Sequence, residues 1–290
     1  MAMTTPKVRT IGVIGLGLMG TAFTWRLLEA GFAPVVWNRT PEKAAELTTH
    51  GARWSDHPIA ECDRVVISLY SSEAVVEVLD RMEADLQPGQ VLIDTTTGEP
   101  GQVEAIGLRL AGKGVRYLDA PVSGSSEQTR RGEAVVMVGG STGDLEACRD
   151  LWPVMGGTLH HCGPLGSASR MKLVTNLVLG LNRAALAEGL GFARSIGVDP
   201  AAALEVLRGS AAQSRVMDTK GRKMLAGEFS PQARLSQHRK DIEIIVRDAA
   251  AAGLELPLSS LHLELLRRAE ARGLGPLDNS AIARLWGVGT

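Results

Sequence analysis

The sequence predicts an α/β fold in which a doubly wound parallel sheet is followed by an all-α domain. Short β-rich segments alternate with helical patterns from residue 10 to about residue 152, and from residue 167 onward only helical periodicity remains. A third observation is the glycine-rich turn at residues 15–20, directly after the first strand. With 290 residues, the chain is long enough for two ordinary domains. We therefore expect an N-terminal domain at residues 1–166 and a helical domain at residues 167–290.

The individual elements follow from this alternation. Strands are expected where β-branched apolar residues cluster, with a helix between successive strands. The long C-terminal helix is apolar on nearly every side, so we expect other helices to surround it, including helices of a second subunit in a homodimer or homotetramer. The predicted strands are 10–14, 33–37, 64–68, 91–94, 115–119 and 134–138. One helix is predicted to begin near residue 41. The other predicted helices span 73–82, 100–112, 144–152, 167–196, 200–209, 234–252, 256–273 and 279–285.

Charge balance excludes some classes of partner. The 31 Lys and Arg residues offset 32 Asp and Glu residues, which leaves a formal charge of −1. No general attraction to nucleic acid or to an anionic membrane follows from this balance, and we expect a small-molecule substrate instead. The most apolar long segment, residues 173–193, contains Asn, Arg and Glu residues. It therefore predicts a buried helix and not a membrane span.

Cysteine usage and the N-terminus indicate a cytoplasmic protein. Cys62, Cys148 and Cys162 are odd in number and form no CxxC pair, as in proteins of a reducing compartment. Residues 1–7 lack the long apolar stretch of a secretion signal. The neighbouring side chains of His160-His161-Cys162 would point to opposite faces of a short strand, so we expect no metal site there.

The glycine-rich turn has the context that a dinucleotide fingerprint needs. It follows an apolar strand and opens a helical pattern. The first glycine permits the tight turn, the second lets backbone amides approach a pyrophosphate, and the third allows the helix to pack close to the strand. We therefore expect a Rossmann-type domain whose cofactor contacts include Gly15, Leu16, Gly17, Leu18, Met19 and Gly20.

The end of the second strand favours NADP over NAD. An NAD-type fold usually has an acidic residue there for the ribose 2′-hydroxyl, but this chain has Asn38-Arg39-Thr40. Arg39 offers a planar cation for a 2′-phosphate, and Asn38 or Thr40 can add hydrogen bonds. The alternative is that Arg39 is an ordinary solvated residue, and NAD binding stays open.

Lys172 and Asn176 lie one turn apart on the predicted helix that opens the second domain. A lysine within an apolar first turn, just past the sheet, is placed to exchange a proton with a carbonyl or hydroxyl group. By spacing alone, a surface lysine whose stem lies along a half-buried helix explains the pattern equally well.

Several blocks of the sequence resemble the β-hydroxyacid dehydrogenase family, of which 3-hydroxyisobutyrate dehydrogenase is the usual representative. Beyond the glycine turn, the blocks are Asp119-Ala120-Pro121-Val122-Ser123-Gly124, the segment Gly163 to Asn176, and Lys240-Asp241. The resemblance covers nearly the whole chain, and it also extends to domains of the 6-phosphogluconate dehydrogenase type.

The resemblance implies an NAD(P)-dependent oxidoreductase that interconverts a small 3-hydroxy acid and its semialdehyde or keto acid. Lys172 would act as the acid and base, and Asn176 would hold the substrate or orient the lysine. Ser123 and Gly124 would bind the substrate carboxylate. Leu69 and Thr97 would line the cofactor groove, and Lys240 would close over the cofactor. 3-Hydroxyisobutyrate, glyoxylate, and succinic or tartronate semialdehyde all belong to this substrate class.

Departures from the family pattern leave the substrate and two alternatives open. Ser125 and Gln128-Thr129 stand where the family often has small residues, and Thr175-Asn176 replaces the familiar Asn-Asn. Ser123 and Gly124 form the expected carboxylate clamp, and larger polar side chains near it would narrow the substrate pocket or contact a polar substrate. One alternative function is an imine reductase-like activity, although those relatives usually carry Asp or Tyr at the Lys172 position. The other is a non-catalytic dinucleotide-binding module.

Overall fold

A computed structural model of the chain describes residues 9–289. The described chain divides into two compact units, of which the first ends at residue 172 and the second begins at residue 173. This division falls six residues after the expected domain boundary at residue 166, in the second turn of the long helix. The N-terminal stretch that lacks a secretion-signal pattern lies outside the described residues.

The first unit is built on one sheet of nine strands. Strands β1, β2, β3, β4, β5 and β6 pair in parallel, in the spatial order β3-β2-β1-β4-β5-β6. Beyond β6 the pairing changes, because β8 runs antiparallel to both β6 and β7 and parallel to β9. The strands are β1 Arg9–Ile14, β2 Phe32–Trp37, β3 Arg53–Trp54, β4 Arg64–Ile67, β5 Val91–Asp94, β6 Arg116–Asp119, β7 Val122–Ser123, β8 Val135–Gly139 and β9 Thr158–Gly163.

Helices of the first unit follow the predicted alternation, with differences: the short helices at Pro58–Glu61 and Ser126–Arg130 were not predicted. The helix predicted at 144–152 is two short helices, because Pro153 has no N–H to donate to the preceding turn and forces a new start at Trp152. Short 3-10 turns occupy Pro41–Ala44 and Glu83–Asp85. The helices are α1 Leu18–Glu29, α2 Ala45–Thr49, α3 Pro58–Glu61, α4 Ser72–Arg81, α5 Pro100–Ala111, α6 Ser126–Arg130, α7 Thr142–Ala147 and α8 Trp152–Met155.

Both faces of this sheet are covered by apolar side chains. Because side chains alternate along a strand, Val13 joins one core and Ile14 the other, and Val66 and Ile67 divide in the same way. Fully buried parallel strands of this kind read as continuous apolar runs in the sequence. The sheet is therefore the layer between two helical layers that the sequence predicts for a doubly wound fold.

Apart from one isolated bridge between Arg234 and Asp278, the regular secondary structure of the second unit's described residues is helical. The sequence did not predict Met217–Ala226, where a π turn at Met217–Gly221 runs into a short helix. None of the helices between residues 9 and 289 is long and apolar enough to cross a membrane. They are α9 Ser167–Ser195, which begins in the first unit, α10 Pro200–Arg208, α11 Arg222–Ala226, α12 Leu235–Ala251 and α13 Pro257–Ala271, with a final 3-10 segment at Asn279–Trp286.

A buried carboxylate, Asp278, connects distant segments of the second unit. It accepts hydrogen bonds from Lys220 Nζ at 2.9 Å and from the backbone N–H groups of Gln232 at 3.0 Å and Ser280 at 3.1 Å. Burial alone raises the pKa of this carboxyl, but the Lys220 ammonium and the Ser280 hydrogen bonds outweigh burial and lower its pKa to about 2. Asp278 is thus ionised and fixes the π turn against the end of the chain.

Candidate active site

The candidate site residues of the first unit lie along one edge of its sheet. Strands β1, β4, β5 and β6 are parallel, so the turns that follow them share the carboxyl edge. From β1 the chain first adds strands β2 and β3 on one side and then continues with β4 on the other side, so the direction of strand addition changes at β1. In open α/β sheets, ligands bind outside the carboxyl ends of the strands at such a switch point.

The glycine turn after β1 has the geometry that the sequence predicts. Gly15 has φ +96°, and a Cβ there would collide with the backbone oxygen of Ser68. A Cβ on Gly20 would collide with the backbone oxygen of Gly15, so α1 packs directly on the turn. Nothing lies within 4 Å of the position a Cβ would take on Gly17, and no side chain caps α1. The turn therefore offers open backbone and a free helix N-terminus to an anion.

The other residues of this turn differ in exposure. Leu16 is buried, Leu18 is exposed, and Met19 is half-buried with its sulfur 3.9 Å from the Thr129 hydroxyl. Leu16 also donates its backbone N–H to Asn38 Oδ1 at 2.9 Å. The end of β2 thereby fixes the turn after β1.

The side-chain amide of Asn38 is hydrogen-bonded to two backbone segments. Its amide accepts from Leu16 and donates to the backbone oxygen of Thr40 at 2.9 Å. Both ends of the amide are therefore used within the fold. Arg39 and Thr40 are exposed.

Leu69 and Thr97 follow β4 and β5, respectively. The backbone N–H of Leu69 donates to the buried Thr96 hydroxyl at 3.1 Å, which joins the two strand ends. The side chain of Leu69 would contact a Cβ placed on Gly15, so it lies directly beside the glycine turn. Thr97 is half-buried one residue beyond Thr96. The sequence did not single out Thr96, whose hydroxyl carries this link.

Ser123 ends the short strand β7, and Gly124 follows it. The next residue, Ser125, forms a capping box with Gln128: Gln128 N–H donates to Ser125 Oγ at 3.2 Å, and Ser125 N–H donates to Gln128 Oε1 at 2.9 Å. The polar residues that depart from the family pattern are thus hydrogen-bonded to each other. The Ser125 N–H is therefore engaged within the turn itself.

Lys172 lies in the second turn of α9, and its side chain is only 7% exposed. The start of this helix is held by Asp119, at the end of β6. Asp119 accepts from the backbone N–H of Gly166 at 3.1 Å and of Ser169 at 2.7 Å. The sequence marked Asp119 as part of a motif but gave it no role, since the two bonds join residues 47 and 50 positions apart.

Asn176 and Lys240 share a carboxylate partner within the second unit. Asn176 Nδ2 donates to Asp241 Oδ2 at 2.9 Å, and Lys240 Nζ lies 3.3 Å from Asp241 Oδ1. Both Asn176 and Asp241 are buried. Asp241 was visible in the sequence as the second residue of the Lys240-Asp241 block, but a charged pair on a helix does not indicate which helix it faces.

Two buried carboxylates stand side by side on adjacent strands. Asp94 and Asp119 are register partners at the ends of β5 and β6. Burial raises the pKa of Asp94 to about 6, although Thr96 and the Tyr117 hydroxyl, 2.6 Å away, donate to it. Burial likewise raises the pKa of Asp119 against the lowering effect of the Ser169 and Gly166 N–H groups.

The His160-His161-Cys162 segment lies on β9. His161 Nε2 is 2.9 Å from the backbone oxygen of Gly140. Between residues 9 and 289, no group of three or more His, Cys, Asp or Glu side chains is arranged to hold a metal ion.

Two protein families match successive parts of the chain. Residues 10–163 match the NAD binding domain of 6-phosphogluconate dehydrogenase. Residues 166–286 match the family described as NAD-binding of NADP-dependent 3-hydroxyisobutyrate dehydrogenase. The two matches meet at the start of α9.

Curated relatives share about a third of their aligned residues with this chain. L-threonate dehydrogenase of Cupriavidus necator is 31% identical over 285 residues, which cover 96% of this chain and 96% of that protein. The cytokine-like nuclear factor N-PAC of Homo sapiens is 31% identical over 288 residues, 97% of this chain. The chain spans about half the length of N-PAC, 52%.

A solved structure, Psf3 in complex with NADP+ and 2-OPP, has the same fold. Its TM-score is 0.87 at 27% identity, and the match covers 95% of this chain and 99% of that one. Fold, family matches and full-length relatives agree. The chain belongs to the β-hydroxyacid dehydrogenase family.

Proposed function

We propose that the protein is an NAD(P)-dependent oxidoreductase that interconverts a small 3-hydroxy acid and its semialdehyde or keto acid. The observation that carries the proposal is the buried Lys172 on a helix whose start is bonded to the same strand-end block that bears Ser123 and Gly124. A lysine ammonium in that position is suited to proton exchange with a carbonyl or hydroxyl oxygen.

The residues after β1 fit a dinucleotide. The space at Gly17 lets a pyrophosphate approach the backbone, and the uncapped N-terminus of α1 favours its negative charge. A bound nicotinamide supplies or accepts the hydride. The protein's part is to hold the hydroxy acid, to exclude water and to move one proton.

Lys172 moves that proton. As an ammonium it gives a proton to the substrate carbonyl oxygen during reduction, and as a neutral amine it takes the hydroxyl proton during oxidation. Asn176 lies one turn further along the same helix and has its Nδ2 bonded to Asp241. That bond leaves the second N–H and the carbonyl oxygen of the amide for the substrate or the lysine.

Ser123 and Gly124 bind the substrate carboxylate. A hydroxyl and a backbone N–H in one turn form a compact anion site. Since Ser125 and Gln128 satisfy each other, we expect them to shape the turn and not to contact the acid.

NADP is the preferred cofactor in this proposal. No carboxylate follows β2 to bind a ribose 2′-hydroxyl, and Arg39 is exposed there. Because the Asn38 amide is engaged at both ends, Arg39 and Thr40 are the groups that would hold a 2′-phosphate. The similar protein Psf3 was solved with NADP+.

We also propose that the protein is a cytoplasmic homo-oligomer. Its three cysteines are free, and two of them are buried. One face of α9, continued by Ile196 directly after it, carries apolar residues that are each more than half exposed: Val174, Val178, Phe192 and Ile196. A second copy of the chain would bury this face.

A spectrophotometric screen tests the proposal. NADPH and NADH are each offered with semialdehydes and short keto acids, and the wild type is compared with Lys172→Ala. The matched control is Lys113→Ala, which removes an exposed lysine paired with Glu83. We expect turnover in the wild type and in the control, and loss of at least about a thousandfold in Lys172→Ala.

Three outcomes would reject this proposal. Full turnover by Lys172→Ala would exclude the lysine as acid and base. Faster reduction of cyclic imines than of any carbonyl would favour an imine reductase. Dinucleotide binding without turnover of any substrate would favour a non-catalytic module.

A further inference from the structure

The long helix α9 is capped by a side chain from another strand. The N–H groups of a helix's first turn have no partners within the helix and carry partial positive charge. A local Ser, Thr, Asp or Asn usually satisfies one of them. Here the residue before the helix is Gly166, and the carboxylate of Asp119, 1% exposed, accepts from both Gly166 and Ser169.

The surrounding fold leaves room for this contact. A Cβ on Gly139, the residue paired with Asp119 across β6 and β8, would collide with the Asp119 carboxylate. The backbone oxygen of Pro164 lies only 2.9 Å from the same position. Leu165 fits beside Gly107 on α5, where a Cβ would collide with its side chain. The segment that leads into α9 is thus docked at both Leu165 and Gly166.

We propose that Asp119 is a positioning residue for Lys172. This inference rests on the proposed role of Lys172 as acid and base. Lys172 follows Ser169 by three residues, which is about one helical turn, so the two hydrogen bonds to Asp119 set the rotation and height of the turn that carries the lysine.

A local cap would stabilise the helix end equally well, but it would not tie the helix to the sheet. Asp119 also lies four residues before Ser123, in the same strand-end block. The carboxylate therefore links the proposed proton donor to the proposed carboxylate clamp through one short segment. A misplacement of about 1 Å between reacting groups can lower a rate about a hundredfold.

Asp119→Asn tests the inference in the full chain. An asparagine keeps the size of the side chain but places an NH2 group against one of the two N–H donors. We expect kcat to fall about ten- to a hundredfold, while the Kd for NADPH, measured by fluorescence, stays within about twofold. The matched control is Glu104→Gln, which removes the exposed ion pair between Glu104 and Arg170 on the same turn of α9 and should keep kcat.

A double-mutant cycle separates positioning from general support of the fold. If Asp119 acts through Lys172, Asp119→Asn lowers turnover in the wild type but not the residual turnover of Lys172→Ala. The pH profile of kcat should also shift in Asp119→Asn. An equal fold loss in both backgrounds, or unchanged kcat in a folded Asp119→Asn, would overturn the inference.

Gly139→Ala disturbs the same contact from the strand that faces Asp119. It is the second variant to measure if Asp119→Asn does not fold. The new methyl group would displace the carboxylate, so the same loss of kcat is expected; wild-type kcat in Gly139→Ala would contradict the inference. Failure of the proposed function itself looks different. In that case Lys172→Ala keeps full turnover, whatever Asp119→Asn does.

Discussion

The amide of Asn176 donates to the buried carboxylate of Asp241 across α9 and α12, at 2.9 Å. An ionised carboxylate only accepts hydrogen bonds, so it determines which end of the amide faces it. The same carboxylate lies 3.3 Å from the ammonium of Lys240. Two residues with separate proposed roles, one at the substrate and one at the cofactor, therefore depend on a single acidic side chain.

Asp241→Asn should lower kcat about tenfold, because an amide at this position no longer fixes the orientation of Asn176. It should also weaken cofactor binding, since Lys240 loses its counter-charge. Steady-state kinetics and fluorescence titration measure the two effects. Asp248→Asn, on an exposed turn of the same helix beside Arg247, is the control and should change neither. Wild-type kinetics for Asp241→Asn would contradict this role.

Arg39→Ala should raise the KM for NADPH about tenfold or more, because a charge-assisted contact to the 2′-phosphate is lost. The KM for NADH, which lacks that phosphate, should stay within about twofold and serves as the internal control. Both constants come from initial rates at a saturating substrate concentration. An equal rise in both would mean that Arg39 does not distinguish the two cofactors.

Acidification should destabilise the protein through His262. Burial, with a smaller effect of Arg183, lowers the pKa of His262 from 6.5 to about 4, and His262 Nε2 lies 3.1 Å from His238 Nε2. A lowered pKa means that the neutral form stabilises the fold. This contribution is complete above pH 6.5 and decreases as the pH falls toward 4, by about 3 kcal/mol in all.

Urea unfolding at several pH values from 7 to 4.5 measures this effect as the difference between the wild type and His262→Gln. The difference cancels the opposite contribution of Asp94, whose raised pKa favours the fold in acid. His50→Gln, an exposed histidine of the first unit, is the control. Parallel pH dependences in wild type and His262→Gln would refute the assignment.

The exposed apolar face of α9 should govern the oligomeric state. Val178→Glu combined with Phe192→Glu places two charges on this face, and a subunit interface there would have to bury them. We expect a smaller particle by size-exclusion chromatography with light scattering. Leu108→Glu, on an exposed position of α5, should leave the mass unchanged. A wild-type oligomer with both charges in place would locate the interface elsewhere.

The parts of the fold that local sequence determines were predictable. The turn at Gly15 requires positive φ, and the flanking strands are apolar on both faces, so motif and strands appear in the sequence together. The two-residue strand Val122–Ser123 and the antiparallel pairing of β8 are too short or too dependent on neighbours to show a period.

The supporting residues of the site were not predictable for a related reason. The bond between Asp119 and Ser169 joins positions 50 residues apart, and only the folded chain brings them together. Arg183 lies in the apolar segment that the sequence predicts as a buried helix, but the sequence does not show that the guanidinium itself is buried, where burial lowers its pKa to about 10. Residue type and spacing therefore indicate which side chains could carry chemistry. They do not indicate which residues, distant in the sequence, position those side chains.

The carboxylate of Asp278 has a consequence for the order in which the chain folds. It binds Lys220, the backbone at Gln232 and Ser280, and the bond to Lys220 joins positions 58 residues apart along the chain. During synthesis, the helices from α10 to α13 emerge from the ribosome before this acid does. Lys220 can therefore be buried beside its counter-charge only after residue 278 has been made, so the packing of these helices is completed late.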